Sequence, residues 1–548
     1  MNGTVSFSAF ARRRRANFEL LCGFVVAFVY LYLTLFVPPL TPSDLTFRDN
    51  GIALSEAIRI LHGQVIYRDF FDVHFPGTQF FYALSIRLLG PRAWIPNASL
   101  LCLGIGFLWA SIVISRRLFS GATVLLPGAL FLCLSFHSYL DPTHHWYSNL
   151  LIITAVAVLI ERRSPKRLAL AGGLCGLAAF FSQNHGPLAA LGFAAFIWWE
   201  AARDGKNSRQ IVRCESYFFV PFAAIFVASI GYVALAAGPR QFFQSTVLFA
   251  FKYWHATADP NSWSDYGLFA LIEDSLFYHH VPGLRFLIVS ILIPGVYFVA
   301  IVSHLRLWTI STDRQWRLVA LISVVGLSLF VSVINSATVA RLDTISLPGF
   351  VVLVWLVASK SWGDKIVKLL WIFVLFVMLR DVSIARRLWA PYVDTPSGKV
   401  AVYSPGARSY YRWLAHNTRP GEFVFNATYH SGLYFLFRLE NPTKLWWLTP
   451  CNYTRPEQVS EVLRALETHQ VRLILWYRDV DAMGCAPGTD HIRPIRDYLH
   501  DKYRQIETFQ DADGATIFVF ERRAGLHQNA SHGSFLPDSS RLDKAVRP

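Results

Sequence analysis

This sequence is short of charge. Asp, Glu, Lys and Arg make up 16% of its 548 residues, against roughly 25% in soluble domains. That shortfall excludes an ordinary soluble globular chain. Cysteine is sparse as well, with seven residues. Cys22, Cys102, Cys133 and Cys175 fall in apolar segments and read as small packing residues, and Cys214 sits at the edge of one. Neither Cys451 nor Cys485 stands in CxxC spacing, so no zinc site is expected around them. No GxGxxG or GxxxxGKS leads from a strand into a helix, which leaves no nucleotide-binding fold. Pro38, Pro39 and Pro42 follow the first apolar segment where a cleaved signal peptide would have small residues. The net charge of +15 does not mark a nucleic-acid binder, because the basic residues are not gathered on one face or tail.

Long apolar runs are what the chain has in abundance. Hydrophobic residues make up 53% and aromatics 15%. Runs of about 18 or more apolar residues read as membrane-spanning helices. Spans are expected at 17–37, 94–115, 120–137, 146–160, 168–184, 186–201, 216–237, 283–303, 316–334, 344–359 and 366–382. Lys and Arg collect in alternate connections: "ARRRR" before the first span, "ERRSPKR" at 161–167, "ARDGKNSRQIVR" after the sixth. The positive-inside rule then puts the basic N-terminus, 1–16, in the cytoplasm. About eleven spans carry the C-terminal part to the outer side. The multi-span part is expected to occupy 17–385, with a long first outer loop at 38–93 and an aromatic-rich one at 238–282.

Composition changes near residue 400. The segments 422–428, 444–448, 471–477 and 515–521 read as strands. "TRPEQVSEVLRALETHQ" reads as an amphipathic helix with Thr454 and Glu457 as its capping box, and "IRPIRDYLHDKY" as a second helix. "DADG" at 511–514 reads as a hairpin turn. A small α/β domain is expected at 400–524 and a disordered tail at 525–548. Cys451 and Cys485 follow two of the strands. In an oxidising compartment, a bridge between them would close a loop of about 35 residues.

The first outer loop holds an unusual stretch, "YRDFFDVHFPGTQFFYALSIRLLGP" at 67–91. Aromatics crowd together with Arg68, Asp69, Asp72 and His74. A helix lying at the membrane interface would account for the aromatics, with the charges facing water or a cavity. Just before it, Ala53, Ala57, Ile60 and Leu61 share one face of a helix that ends at Gly63. Asp49 opens that helix. Either Asp49 or Asn50 reads as the N-cap, or Asp49 reads as a carboxylate placed to act as a base at the water–lipid boundary.

An Asp followed by xG, an amphipathic helix, LxGxxxYRDF, PG and LLGP resembles the first outer loop of the GT-C glycosyltransferases. These are polyprenyl-phosphate-sugar enzymes such as protein O-mannosyltransferases, lipid A aminoarabinose transferases and their bacterial relatives. The matching residues are Asp49, Gly51, Gly63, Tyr67, Arg68, Asp69, Phe70, Pro76, Gly77 and Gly90. The resemblance implies a GT-C-like polytopic helical membrane protein with an extracytoplasmic C-terminal α/β domain, in a bacterial inner membrane. It implies transfer of a sugar from a polyprenyl-phosphate donor to an acceptor hydroxyl of a glycan, lipid or protein, with Asp49 as general base. Many relatives carry Asp-Glu at this point, where this chain has Asn50. The paired carboxylate is therefore absent, and a divalent metal is left open as cofactor.

Other outer-loop residues could complete such a site. "LDPTHHWYSN" brings Asp141, His144 and His145, adjacent His being poor co-ligands for one metal. "SQNHG" brings Gln183 and His185, polar groups that imply a cavity. Arg341 and, less directly, Lys252 could hold a donor phosphate. Arg68, Asp69 and His74 would border the same space. Two other functions fit a polytopic chain with large outer loops. A lipid or glycan transporter would show paired broken helices, which are not seen here. A polysaccharide polymerase or ligase would not need the α/β domain.

Overall fold

A segment that faces lipid must satisfy its backbone N–H and C=O groups internally, so long apolar runs fold as helices. In the computed structural model the described residues are 3–36, 41–42, 49–253, 292–306, 314–334, 339–387, 391–428, 430–451, 454–482, 485, 488–510 and 514–523. The 525–548 tail, residues 254–282 of the aromatic loop, the start of the eighth span and most of the 511–514 turn lie outside them.

The early helices are α1 (Gly3–Leu35), α2 (Asp49–Leu61), α3 (Gly77–Leu89), α4 (Ile95–Ser115), α5 (Leu126–Leu134), α6 (His144–Leu159), α7 (Pro165–Phe181), α8 (His185–Arg203) and α9 (Ser208–Ala237). Later apolar helices run Ile293–Arg306, Arg314–Val333, Leu347–Ala358 and Gly363–Arg387. Each of the eleven expected spans coincides with a helix. Four segments are long and apolar enough by themselves to cross a membrane: Phe18–Leu35, Ile95–Ser115, Ser208–Ala237 and Gln315–Val333. Val220, Tyr232 and Leu235 of α9 are exposed by 65–77%, as a lipid-facing helix requires. α7 and α9 touch backbone to backbone. A Cβ built on Gly172 would lie 1.9 Å from the Phe218 carbonyl oxygen, and one on Gly176 would lie 2.6 Å from that of Phe222. Glycine at such a crossing permits the close approach. Cys133 and Cys175 pack in the core as expected, whereas Cys22 and Cys102 lie on exposed helix faces.

The α/β part begins at Tyr392, before the expected 400. Strands β2 (Tyr392–Thr395) and β3 (Gly398–Ala401) pair antiparallel, and β3 also pairs parallel with β1 (Thr41–Pro42). The second sheet has the order β4-β5-β7-β6, from β4 (Val424–Asn426), β5 (Leu473–Tyr477), β6 (Tyr503–Gln510) and β7 (Thr516–Arg522). β4 and β5 run parallel, with the helix Pro456–Thr468 between them in sequence. The capping differs from expectation by one residue. Arg455 is the N-cap and its N–H donates to the Gln458 side chain at 2.8 Å. Thr454 Oγ1 instead accepts from the Thr449 N–H at 2.9 Å.

Segment 444–448 is not a strand. Its backbone groups are taken elsewhere: Lys444 O accepts from Phe71 N–H at 3.0 Å, and Leu445 O accepts from Asn441 Nδ2 at 2.7 Å. With no strand there, the loop carrying Cys451 is held by other contacts, including His491 N–H donating to Pro450 O at 2.8 Å. Cys451 and Cys485 are disulfide-bonded, with Cα atoms 5.6 Å apart. β6 was not foreseen. It follows the helix Arg493–Lys502 with no turn between.

The aromatics of the stretch 67–91 are buried or half-buried in the protein, whereas Leu84, Leu88 and Leu89 of α3 are exposed. Ala53, Leu54 and Ala57 of α2 and Tyr82, Ala83 and Ile86 of α3 share one buried core with Leu433, Phe435 and Leu436 of the C-terminal α/β part. Ser55 Oγ donates to Ser431 O at 2.6 Å and Arg59 Nη1 to Thr443 O at 2.8 Å. Leu54 is fully buried, which contributes roughly 1.5–3 kcal/mol. Ile60 and Leu61, expected on the inner face, are half-buried and exposed. Phe70 and Phe75 are buried inside the protein, and Phe75 meets Phe226 and Phe242. The loop thus joins the helical bundle to the C-terminal α/β part.

Candidate active site

Asp49 is the first residue of α2 and its side chain is exposed. The start of α2 is held by another carboxylate. Asp141 Oδ1 accepts the Asn50 backbone N–H at 3.2 Å, and its Oδ2 accepts the Tyr139 hydroxyl at 3.3 Å. An anion suits the positive end of a helix dipole. Asp141 was expected in the cavity. It is instead only 2% exposed and anchors the helix that carries Asp49.

Beside that helix runs a chain of polar groups across α2, the loop and α3. Gln79 Nε2 donates to Glu56 Oε2 at 2.9 Å and to Asp72 Oδ2 at 2.5 Å. Asp72 Oδ1 accepts from the backbone N–H of Val73 at 2.6 Å and of His74 at 3.0 Å, and lies 3.1 Å from His74 Nδ1. The Tyr67 hydroxyl donates to His74 O at 2.5 Å. Burial, and then the nearby Asp72 charge, hold the Glu56 carboxyl well above its ordinary range. Burial would raise Asp72 too, but its bonds to His74 outweigh that and keep it low. Burial disfavours the charged imidazole of His74. The Asp72 hydrogen bond and charge, with a contribution from Asp49, nevertheless hold its pKa above the ordinary value, and Arg341 opposes them.

His74 opens onto a cavity of about 350 Å³. Its walls include Phe75, His144, His145, Gln183, His185 and Arg341. Four imidazoles stand in a row, with ring centroids 4.7 Å apart for His74–His144, 4.0 Å for His144–His145 and 5.0 Å for His145–His185. His185 is buried and lies 2.8 Å from Ser148 Oγ. Gln183 fastens the loop to the bundle: its Oε1 accepts Phe75 N–H at 3.3 Å and its Nε2 donates to Val73 O at 3.1 Å. Val73, Val247, Phe251 and Val333 give the cavity an apolar side. A ligand with an anionic head and a greasy tail would find both surfaces here.

The structure brings together His74, His144, Gln183, His185 and Arg341, with His145, around this cavity; Asp49 is not among the residues that line it. It does not bring Arg68 and Asp69. Tyr67 takes a positive φ of 69° to bury its ring, an unusual conformation for a bulky residue. The chain then turns outward. Arg68 Nη2 pairs with Asp69 Oδ2 at 2.8 Å on the surface, and Asp69 Oδ2 also accepts Val65 N–H at 2.8 Å. Lys252 is exposed and does not line the cavity, although its neighbour Phe251 does. The sequence singled out neither Glu56 nor Gln79, and Asp72 only as one charge of the aromatic stretch. The DxH spacing of Asp72 and His74 was the available signal. Among the described residues, no group of three or more His, Cys, Asp or Glu converges as a metal-holding set.

No protein-family model and no curated protein matches the chain. Solved structures do. ArnT from Cupriavidus metallidurans bound to undecaprenyl phosphate aligns with a TM-score of 0.55 at 11% identity, covering 92% of this chain and 98% of that one. The apo form of the same protein aligns with a TM-score of 0.53 at 12% identity, with the same coverage. At such identities the likeness establishes the fold. The chain has the GT-C-like polytopic membrane fold, with the α/β part at its C-terminal end.

Proposed function

We propose that this chain is a membrane glycosyltransferase that moves a sugar from a polyprenyl-phosphate donor to an acceptor hydroxyl, with Asp49 as general base. One observation carries the reading. A cavity joins a cationic and histidine-rich wall, from Arg341, His74, His144, His145 and His185, to an apolar wall from Val73, Val247, Phe251 and Val333. The fold shared with a protein solved with undecaprenyl phosphate bound supports the donor class. In the reaction the acceptor oxygen attacks the anomeric carbon. Its proton passes to the Asp49 carboxylate, and the bond from carbon to phosphate oxygen breaks, its electron pair leaving with the lipid phosphate. Arg341 stabilises that phosphate by charge-assisted hydrogen bonds. The sugar is a hexose or pentose, and the acceptor a glycan, lipid or protein. The alternating Lys and Arg clusters support a cytoplasmic N-terminus and an outer α/β domain in a bacterial inner membrane.

The test separates chemistry from binding. Purified Asp49→Asn is expected to lose at least about a hundredfold in transfer, the scale of a general base, while still binding polyprenyl phosphate. Arg341→Ala is expected to weaken that binding. Unchanged turnover in Asp49→Asn would rule out the base assignment.

A further inference from the structure

Arg341 stands on a helix of six residues, Val339–Thr344. So short a helix closes few hydrogen bonds of its own and is marginal by itself. Its place is set by the side chains that grip it. Thr344 is 1% exposed, and Asn149 of α6 is fully buried. Asn149 Nδ2 donates to Thr344 O and to Thr344 Oγ1, both at 3.2 Å. Thr344 Oγ1 in turn donates to Arg341 O at 2.7 Å. One hydroxyl thus links a side chain of α6 to the backbone of Arg341. Asn149 follows His145 by four positions, so the two share a face of α6. A single helix therefore sets His145 on the cavity wall and anchors the arginine that faces the same cavity. The amide can sit only one way round, because Thr344 O accepts and does not donate. Asn149 Oδ1 is left buried with no hydrogen-bond partner among the described residues. A half-satisfied buried amide costs stability, so stability alone would not favour it there. Asp343 gives a second hold, its Oδ2 accepting from Ser138 Oγ. That bond fixes the helix as a body, whereas the Thr344 hydroxyl bonds Arg341 itself.

We infer that Thr344 and Asn149 are positioning residues for Arg341. Neither lines the cavity. They act through the Arg341 backbone and not through contact with the phosphate. The inference rests on the proposed role of Arg341 in holding the donor phosphate. A bidentate guanidinium contact demands a defined direction as well as a distance, and a misplacement of about 1 Å is costly at a reacting centre. The long Arg341 side chain can reach many places. Fixing its backbone to α6 narrows them to the wall that also carries His144 and His145.

Binding of undecaprenyl phosphate to the purified full-length protein in detergent tests this. Thr344→Val removes the hydroxyl at nearly constant shape. It is expected to weaken binding about tenfold, the scale of one charge-assisted hydrogen bond. Thr344→Ser keeps the hydroxyl and is expected to bind as wild type does. In an Arg341→Ala background, Thr344→Val is expected to cost less than about twofold more, because the group it positions is gone. Asn149→Ala is expected to show the same loss and the same dependence on Arg341, and it takes over if the valine variant does not fold. A general packing role would weaken binding equally in both backgrounds. That result, or wild-type binding by folded Thr344→Val, would overturn the inference. Loss of binding in Arg341→Ala with none in Thr344→Val would remove the positioning residues alone. Wild-type binding by Arg341→Ala would overturn the inference together with the phosphate role of Arg341.

Discussion

Asp72 organises the wall of the candidate site at the residue scale, although it touches the cavity only through His74. Gln79 is the clamp between Asp72 and Glu56. Gln79→Leu would leave two buried carboxyl groups short of a donor and is expected to destabilise the protein by at least about 2 kcal/mol, read as a lower thermal midpoint in detergent. His74 gives a pH dependence. Its pKa is raised in the folded chain above roughly 6.5 in the unfolded one. The stability it contributes is therefore complete below that unfolded value and is lost as pH rises through the folded one. Glu56, also raised, acts in the same direction from lower pH upward. The thermal midpoint is expected to fall between pH 6 and pH 8, and His74→Asn is expected to flatten that fall. The sequence made His74 legible because a histidine between Phe residues is out of place there. Glu56 was not legible: it looks like one polar residue on an amphipathic helix. Only the fold brings it to Gln79, 23 positions away.

At the scale of elements, hydrophobic periodicity located the apolar helices well, because a lipid-facing run of that length has no other stable backbone arrangement. In the first loop it did not show the partner. An apolar face tells that a surface is buried but not against what, and here the inner faces of α2 and α3 pack against the C-terminal α/β part. It also took 444–448 for a strand, since aromatic and β-branched content reports burial as much as sheet pairing. The disulfide joins two irregular segments in that part. Replacing Cys451 and Cys485 by Ser is expected to cost roughly 3–4 kcal/mol on the chain-entropy model, measured as a lower denaturation midpoint of the full-length protein. In the bundle, Gly172→Ala would force a methyl group into the Phe218 carbonyl. It is expected to lower stability by about 1–3 kcal/mol. Gly231→Ala on α9, where a Cβ meets nothing within 4 Å, is the control and is expected to be harmless.

For the whole molecule, the fold is a helical membrane bundle capped by an α/β part and stitched together by the first loop. Its candidate site lies at that seam, where Asp141 and Gln183 from the bundle fix the loop carrying Asp49 and His74. The proposed orientation rests on the basic clusters, and reporter fusions at Gly205 and Gly406 are expected to give opposite signals; equal signals would refute it. The reaction itself is tested most directly in cells. Glycolipids and glycans are compared by mass spectrometry in cells lacking the gene and in the same cells supplied with wild type or Asp49→Asn. Loss of the gene is expected to remove one sugar increment from an acceptor and to accumulate the sugar-loaded polyprenyl phosphate. Wild type is expected to reverse both changes and Asp49→Asn neither. Full restoration by Asp49→Asn, or no change in any sugar increment on loss of the gene, would contradict the account.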